Sequence, residues 1–359
     1  MTTPALAPDR LRQAARNAWA LTPLGGGIEP HAPSASTVVH QDPHCTVRRY
    51  SRRDAAGAPV LLVPPLAVSI ACYDLRPGQS LVAHLVAAGR PVYVVDYGPV
   101  RYRDRALGFE DFFARIAPAA IAAVRADRAA GGADDPKSGV DLIGWSLGGT
   151  ISLLTAAYDP SLPIRSITTL GTPIDYHRNP TSKPLRALGA VVGHRPMATA
   201  VWALGGIPAP LVQLSYRATA LQREVTRPWF IATNLTETES LAQMQAIDRF
   251  MAAMPGYPAR LYNQMQRHLI MDNALATGRP SFAGEVVPLA QITAPVLAFA
   301  GASDVLATEP CVMAITDVLT GTRVRTAVVP GSHLGIVAGS SAADHTWPVI
   351  DDFHAGLAD

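Results

Sequence analysis

The segment VDLIGWSLGGT, residues 140–150, decides the fold of this 359-residue chain. It begins as an apolar run typical of a buried strand, and ISLLTAAY (151–158) continues it with a pattern typical of a helix. Gly144 and Gly148 flank Ser146, as a sharp strand-to-helix turn requires, because larger side chains would collide with the neighbouring strand and helix. The segment predicts a nucleophilic Ser146 whose hydroxyl projects from the sheet. The alternative is a glycine-rich helix start with an exposed serine.

Short apolar runs alternate with helical patterns on both sides of this segment. Such runs are expected for strands that are buried on both faces of a parallel sheet. The alternation predicts a doubly wound α/β sheet. The predicted strands are Val60–Val63, Pro91–Asp96, Val140–Ile143, Ile164–Leu170, Pro295–Ala300 and Val324–Val329, and the predicted helices are Ser80–Ala88, Phe109–Asp127, Leu147–Tyr158, Pro310–Leu319 and Trp347–Leu357.

The alternation is interrupted once, by about 120 residues between the strands ending at Leu170 and beginning at Pro295. This stretch contains helical patterns, such as Ser240–Met254 and Ala259–Ala276, and Pro/Gly breaks. It predicts an inserted helical cap, which in a hydrolase shields the site and shapes the substrate channel. The predicted organisation is an N-terminal helical extension at 1–45, a core at 46–172 and 289–359, and a cap at 173–288.

A serine nucleophile needs a base, and the base needs a carboxylate that orients it. In hydrolases whose nucleophilic serine lies on such a strand-to-helix turn, the serine comes first in the chain, the acid second and the histidine third. Asp304 follows the predicted strand at Pro295–Ala300, and His333 follows the last predicted strand in a glycine-flanked loop. The order predicts Asp304 as the orienting acid and His333 as the base. Asp304 could instead cap a helix, as Asp after a strand often does.

The oxyanion of the reaction needs two backbone N–H donors. The first predicted donor is Leu147, at the start of the helix after the nucleophile. The second should come from the loop after the first central strand, which reads VPPLAV at 63–68. Prolines have no N–H, so the donor is Leu66 or Ala67, and we favour Ala67. A loop that is merely stiffened by proline is the alternative.

Composition and charge exclude several other classes of function. The formal net charge is +2 and no long basic run occurs, so nucleic acid is not expected as a partner. Cys45, Cys72 and Cys311 lie far apart, which argues against a disulfide framework and predicts a reducing, cytoplasmic location. His40 and His44 are four residues apart, but no cluster of further metal-ligand residues follows them in the sequence. We therefore expect neither a metal ion nor a cofactor.

The first residues, MTTPALAPDRLRQAARNAW (1–19), lack the apolar core of a signal peptide. Leu11, Ala15 and residues 18–21 recur roughly as on an amphipathic helix. This pattern predicts a helix docked on the domain, and a helix lying on a lipid surface is the alternative. No apolar stretch in the sequence is long enough to span a bilayer.

Several segments in one order, from about residue 58 onwards, are more specific than any single motif. They are LLVPPLAVSIACYDLRPGQSLVAHLVAAGRPVYVVDYG (61–98), Gly144 with Gly148–Thr150, MAAMPGYPARLYNQMQRHLIMDNAL (251–275), ITAPVLAFAGASDVLATEP (292–310), PGSHLGIVAG (330–339) and HTWPVIDDF (345–353). Through them the chain resembles the polyhydroxyalkanoate synthase family, most closely the short type that works with a second subunit. The resemblance implies the α/β-hydrolase fold with a mostly parallel sheet and an inserted helical cap, an acyl substrate, and triad positions at Ser146, Asp304 and His333.

Three positions depart from the family's pattern. The synthases carry cysteine where this chain has Ser146, often histidine at the position of Val305, and usually asparagine where Val68 aligns. A thiolate suits chain transfer between thioesters because it is a good nucleophile and a good leaving group. A serine ester is poorer for repeated transfer, although water can hydrolyse it. These departures favour hydrolysis over polymerisation.

The sequence leaves three functions in competition. The first is a serine hydrolase acting on a lipid, an acyl-CoA or a polyester through an acyl-enzyme on Ser146. The second is an acyltransferase or synthase-like enzyme using acyl-CoA, and the third is a non-catalytic synthase-like subunit. The expected partner is an acyl ester or thioester substrate. Association with a lipid inclusion or membrane surface, and a homodimer, are further hypotheses.

Overall fold

A mixed eight-stranded sheet forms the centre of the protein, whose computed structural model describes residues 8–29, 33–132, 139–180, 182–183, 186–187, 194–219 and 221–357. The spatial order of its strands is β1-β2-β4-β3-β5-β6-β7-β8. The strands are β1 Thr37–Asp42, β2 Cys45–Arg49, β3 Val60–Val63, β4 Val92–Asp96, β5 Val140–Trp145, β6 Ile164–Leu170, β7 Val296–Gly301 and β8 Val324–Val329.

Strands β3 to β8 run parallel to one another, whereas β2 joins β1 and β4 in antiparallel pairs. All four residues of β3 are buried, as are all six of β5. This burial is why the parallel strands read as continuous apolar runs in the sequence. Because the strands are parallel, the loops at their carboxyl ends meet at one edge of the sheet, where the predicted site residues lie.

The hairpin of β1 and β2 was not among the predicted strands, and β1 falls inside the segment for which a helical extension was predicted. Strand β1 lies at the edge of the sheet, and its residues are exposed except for the half-buried Val39 and His40. An edge strand lacks the apolar run that marks a central one. The antiparallel register of β1 with β2 extends the sheet beyond β4.

Helices surround the sheet, and α4 packs against β5 and β6. Ser80 was predicted as a helix residue but is the N-cap of α2, where its hydroxyl accepts the Ala83 N–H at 2.9 Å. The helices are α1 Pro8–Ala20, α2 Leu81–Ala87, α3 Ala117–Ala130, α4 Leu147–Tyr158, α5 His194–Ala203, α6 Ala209–Thr219, α7 Leu221–Thr233, α8 Thr238–Ala252, α9 Ala259–Gln264, α10 Glu309–Met313, α11 Ile315–Val318, α12 Gly335–Ala338, α13 Ala342–His345 and α14 Trp347–Ala355.

Shorter elements complete the chain. A helical turn at Phe109–Asp111 and a π-helical turn at Phe112–Ile116 lead into α3, and α9 continues into a π-helical turn at Met265–Met271. Between β6 and β7 the described residues form helices, turns and two-residue strands. The division into core and cap remains a prediction. Strand pairs join Asp74–Arg76 to Gln79–Ser80, Gly206–Ile207 to Tyr257–Pro258 and Ser281–Phe282 to Glu285–Val286, and 3-10 helices span Ile70–Cys72, Tyr102–Ala106, Tyr176–Arg178, Ala274–Thr277 and Leu289–Gln291.

Helix α1 is docked through its polar side rather than its apolar side. Asn17 is buried, and its Nδ2 donates to the Leu235 carbonyl at 2.8 Å and to Thr238 Oγ1 at 3.2 Å. The apolar side chains of Leu11 and Trp19 are 55% and 60% exposed. The loop between α7 and α8 offers hydrogen-bond acceptors, so it binds the polar face and leaves the apolar stripe facing outward.

Asp141 carries a buried charge near the start of β5. Its carboxylate accepts hydrogen bonds from Arg90 at 2.6 Å, from Arg165 at 2.6 and 2.9 Å, and from Ser166 at 2.6 Å. Arg90 Nη1 also lies 3.2 Å from Nδ1 of the buried His354. Burial lowers the pKa of His354 to about 4, because desolvation penalises the imidazolium more than Asp141 stabilises it. The positive charges of Arg90 and Arg165 contribute to this lowered pKa.

We expect the free energy of unfolding to fall as the pH falls from 6.5 towards 4. The unfolded chain takes up a proton on His354 near pH 6.5, whereas the folded chain does so only near pH 4. Protonation therefore favours the unfolded state, by up to about 3 kcal/mol at the lower end. Urea unfolding across this range measures the effect. His354→Phe should flatten the slope, and the exposed His345→Phe should not; the same slope in all three proteins would contradict the assignment.

Candidate active site

Ser146 occupies the turn between β5 and α4. Its backbone angles are φ 52° and ψ −122°, a conformation that is strained for any residue other than glycine. The Ser146 N–H donates to the Leu170 carbonyl at 2.8 Å, and the Thr172 hydroxyl donates to the Ser146 carbonyl at 3.0 Å. These bonds from the end of the neighbouring strand β6 hold the strained turn in place.

Two glycines leave the space that this turn needs. A Cβ atom on Gly144 would lie 2.4 Å from the Gly149 nitrogen, and one on Gly148 would lie 2.0 Å from the Val63 carbonyl oxygen. Both distances are far below van der Waals contact. The steric reason for the glycines is therefore confirmed: α4 begins directly against the ends of β3 and β5.

Asp304 and His333 form a hydrogen-bonded pair in the loops after β7 and β8. His333 Nδ1 lies 2.7 Å from Asp304 Oδ2, and the Asp304 side chain is fully buried. Asp304 Oδ1 accepts the N–H groups of Leu306 and Ala307 at 2.8 and 2.9 Å. The carboxylate therefore both fixes its own loop and holds the imidazole. This network favours a proton on Nδ1 and leaves Nε2 as the nitrogen that can accept one.

Neighbouring residues bring the Asp304–His333 pair to the Ser146 turn. Trp145 Nε1 donates to the His333 carbonyl at 3.0 Å, and the rings of Trp145 and His333 are 5.3 Å apart. Gly171 follows β6, and a Cβ atom there would lie 3.2 Å from Asp304 Oδ2 and 3.3 Å from His333 Nδ1. The described contacts include no hydrogen bond between the Ser146 hydroxyl and His333. Such bonds are often long in ligand-free sites and tighten when substrate binds.

The two predicted oxyanion donors lie on adjacent elements. Leu147 is the first residue of α4, so its N–H is among the amides that no helical carbonyl accepts. Ala67 follows β3, which pairs with β5 through Val63 and Gly144. Ala67 has φ 57°, which turns the backbone of its loop sharply. The roles of Leu147 and Ala67 remain predictions.

Tyr73 is a structural link that the sequence analysis did not find. Its hydroxyl donates to the Val63 carbonyl at 2.7 Å and accepts the Trp145 N–H at 3.0 Å, and the side chain is fully buried. The hydroxyl thus joins the backbone just before the oxyanion loop to the backbone just before Ser146. A polar side chain inside the apolar segment at 61–98 was the available signal, but its partner lies 72 residues away.

Comparison with known proteins agrees with this architecture. The chain is 24% identical over 350 residues to the poly(3-hydroxyalkanoate) polymerase subunit PhaC of Allochromatium vinosum, covering 95% of this chain and 92% of that protein. It is 22% identical over 320 residues to the PhaC subunit of Haloarcula marismortui, covering 89% of this chain and 65% of that protein. The chain is therefore similar, over most of its length, to polyhydroxyalkanoate synthase subunits.

A solved structure supports the fold of this chain. A lipase-esterase related protein from Clostridium acetobutylicum superposes with a TM-score of 0.50 and 12% identity, covering 86% of this chain and 99% of that one. The predicted α/β-hydrolase fold is therefore confirmed. No family model matches the chain.

Two cavities flank the Ser146 turn. The first, the histidine-side cavity, has a volume of about 390 Å³ and is bordered by Trp145, by the loops after β7 and β8, including His333, and by α8. The second, the oxyanion-loop cavity, has about 230 Å³ and is bordered by Ala67 and the residues after β4. The sheet order places β5 between them. Neither lining, as far as the structure describes it, includes Ser146.

Both cavities present mainly apolar atoms, and they differ in the residues that line them. The histidine-side cavity presents mainly apolar atoms, including those of Ile247, Phe250 and Met251. Ser69 and Tyr97 border the oxyanion-loop cavity, and their buried hydroxyls have no hydrogen-bond partner among the described residues. The first cavity suits a hydrocarbon chain, and the second has room for a small group beside Ala67.

Two buried cysteines and one histidine outside this site lie in structural contacts. Burial raises the pKa of the Cys311 thiol to about 12 and that of Cys45 to about 11, so both stay protonated and unreactive at neutral pH. His44 Nδ1 lies 3.0 Å from the Tyr97 carbonyl oxygen, and its Nε2 lies 3.2 Å from Asp104. Within the described ranges, no three His, Cys, Asp or Glu side chains are grouped to bind a metal.

Proposed function

We propose that this chain is a serine hydrolase that cleaves acyl esters or thioesters through an acyl-enzyme on Ser146. The observation that carries the proposal is the strained Ser146 turn beside the buried Asp304–His333 pair. A serine held at such a turn, with a histidine oriented by a carboxylate close by, is the arrangement of serine acyl transfer on this fold.

In the proposed reaction, Ser146 Oγ attacks the acyl carbonyl while His333 Nε2 takes the hydroxyl proton. Asp304 holds the imidazole and stabilises its positive charge. The carbonyl oxygen becomes an oxyanion, which accepts hydrogen bonds from the Leu147 and Ala67 N–H groups. The bond to the leaving alcohol or thiol breaks as His333 returns the proton to it. Water then repeats the sequence, with His333 as base, and releases the free acid.

The two cavities support a division of the substrate between them. The apolar histidine-side cavity would hold the acyl chain, whose burial stabilises binding by about 0.8 kcal/mol per methylene. The oxyanion-loop cavity would hold the alcohol or thiol beside Ala67. The carbonyl carbon would then lie between the cavities, at Ser146.

The second candidate is an acyltransferase or synthase-like enzyme that uses acyl-CoA. The PhaC relatives favour it, because they are named as polymerase subunits. The oxyanion-loop cavity is compatible with it, because the same space can hold an acceptor alcohol or a leaving group. A non-catalytic subunit is the third candidate, and the retained Ser146, Asp304 and His333 weigh against it.

Product analysis separates these functions. We propose a panel of p-nitrophenyl esters and acyl-CoA thioesters, run on the wild-type chain and on Ser146→Ala, with a preference for medium or long acyl chains. A hydrolase releases free acid, whereas a transferase forms a new ester or polymer when an alcohol or hydroxyacyl-CoA is present. Equal rates in the two proteins would remove the support for an acyl-enzyme on Ser146.

The outward stripe of α1 supports an association with an anionic lipid surface. Leu11 and Trp19 are exposed on this stripe, and Arg12 and Arg16 follow Leu11 and Ala15 on the helix. An exposed apolar stripe flanked by arginines is typical of helices that lie in a lipid interface. Among the described residues, no helix is both long enough and apolar enough to cross a bilayer.

We expect the chain to float with phosphatidylglycerol vesicles and to lose most of this binding in the double variant Leu11→Ser/Trp19→Ser. Each exposed side chain contributes about 1.5–3 kcal/mol when it is buried in lipid, so losing both should lower the partition coefficient at least tenfold. Leu24→Ser, in the loop after α1, serves as an exposed apolar control. Equal flotation of the double variant and the wild type would contradict the association.

A further inference from the structure

A third cavity lies between helices α7 and α8. It has a volume of about 200 Å³ and is lined mainly by apolar atoms. Arg227 and Phe230 border it from α7, and Ser240, Met244 and Ile247 border it from α8. We call it the α7–α8 cavity. No step of the proposed reaction uses it.

Two side chains belong to this cavity and to the histidine-side cavity at the same time. Gln243 and Ile247 border both cavities, and they are one turn apart on α8. Phe250 and Met254 continue this line of contacts into the histidine-side cavity. Gln243 and Phe250 are separated along the helix axis by about 10 Å. Side chains of α8 thus line both cavities, from the α7–α8 cavity to the surroundings of His333.

The outer end of this space reaches solvent at α7. Phe230 is 37% exposed, and its neighbours Val225 and Trp229 are 71% and 74% exposed. Arg227 Nη2 donates to Asp248 at 2.7 Å and so ties α7 to α8 beside the cavity. Of these three apolar side chains Phe230 borders the cavity, and an exposed apolar side chain at the edge of an apolar cavity favours the entry of a hydrocarbon chain.

We propose that the histidine-side cavity and the α7–α8 cavity form one acyl-chain channel joined at Gln243 and Ile247. The carbonyl end of the substrate lies near His333, and the end of a long chain passes Gln243 and Ile247 and lies between α7 and α8. A short chain fills the histidine-side cavity alone. This inference rests on the proposed function for the position of the carbonyl, and it names long unbranched acyl chains as the substrates that use the whole channel.

A bulky side chain where the two cavities share lining residues tests the channel. Ile247→Trp is expected to lower kcat/KM for p-nitrophenyl palmitate at least tenfold, because several buried methylenes lose their site at about 0.8 kcal/mol each. The loss on p-nitrophenyl butyrate should be several-fold smaller, because a four-carbon chain with its carbonyl near His333 occupies less of the channel and loses fewer buried methylenes. Ala252→Trp is the matched control, since Ala252 is an exposed residue of α8 outside both linings.

A binding measurement separates the channel from the chemistry. In the Ser146→Ala background, the fluorescent fatty acid cis-parinaric acid should bind, and Ile247→Trp should raise its Kd at least about tenfold. If this holds while the wild type hydrolyses no ester, the proposed function fails and the channel stands. An unchanged Kd, or an equal loss on palmitate and butyrate, would overturn the channel. Gln243→Trp plugs the same junction if Ile247→Trp does not fold.

Discussion

Replacing Ser146 with alanine is expected to lower kcat/KM on p-nitrophenyl esters by about 10⁴- to 10⁶-fold, the range found when a serine nucleophile is removed. The turn fixes the residue at φ 52°, and no change in fold is needed to remove only the hydroxyl. Alanine has the smaller side chain, so the turn geometry should persist. The loss would then report the missing nucleophile rather than a misplaced backbone.

The same assay on His333→Ala should show a loss of similar size, because the base and the nucleophile act as one unit. The double variant Ser146→Ala/His333→Ala should lose little more than either single variant. Ser161→Ala is the control, since Ser161 is exposed in the turn after α4 and should stay within about twofold of wild type. Additive losses in the double variant would contradict a shared role for Ser146 and His333.

Gly148→Ala is expected to destabilise the fold by about 3 kcal/mol or more, at the upper end of overpacking effects. The new methyl group would lie 2.0 Å from the Val63 oxygen and 2.9 Å from the Pro64 carbonyl carbon. These are backbone atoms of the β3 end, so no side chain can turn away to make room. The start of α4 must move instead, which displaces the Leu147 N–H and should also lower kcat.

Urea unfolding and ester hydrolysis measure the two effects of Gly148→Ala. Gly356→Ala is the matched control, because its new methyl group would meet the Asp352 carbonyl at an ordinary 3.6 Å. That variant should unfold within about 0.5 kcal/mol of wild type. A Gly148→Ala protein with wild-type stability and wild-type kcat/KM would show that α4 does not pack against β3 as closely as the structure places it.

The central strands could be predicted from the sequence because both of their faces are buried. Val60–Val63 and Ile164–Leu170 have the predicted bounds, and so does Val324–Val329, an edge strand that is mostly exposed or half-buried. The hairpin of β1 and β2 could not be predicted in the same way, since β1 has no buried residue and its sequence TVVHQD has no long apolar run. The predicted helix Pro310–Leu319 is divided into α10 and α11, with Ala314 between them. Local periodicity does not show such a break.

The residues of the candidate site could be predicted from the sequence, but the contacts that surround them could not. The order of Ser146, Asp304 and His333 follows from the strands that precede them, because parallel strands end at one edge of the sheet. Their catalytic roles remain predictions. The Tyr73 link and the outward stripe of α1 depend on contacts between distant parts of the chain. Such contacts leave no local pattern in a single sequence.

The cavities likewise could not be predicted from the sequence. Gln243 and Ile247 read only as one face of a helix in the sequence, and the packing of α7 against α8 makes them the border of two cavities. Ser69 and Tyr97 are likewise ordinary loop and strand-end residues until burial leaves their hydroxyls without a partner among the described residues. Substrate division between the two sides of Ser146 is therefore a structural inference.

The most direct test of the central claim is the intact mass of the protein after incubation with a fluorophosphonate, followed by peptide mapping. The expected result is one phosphonyl adduct on the wild-type chain, located on Ser146, with no adduct on Ser146→Ala and little on His333→Ala. A wild-type chain that stays unlabelled, or a Ser146→Ala chain that is labelled to the same extent, would contradict the assignment of Ser146 as the nucleophile.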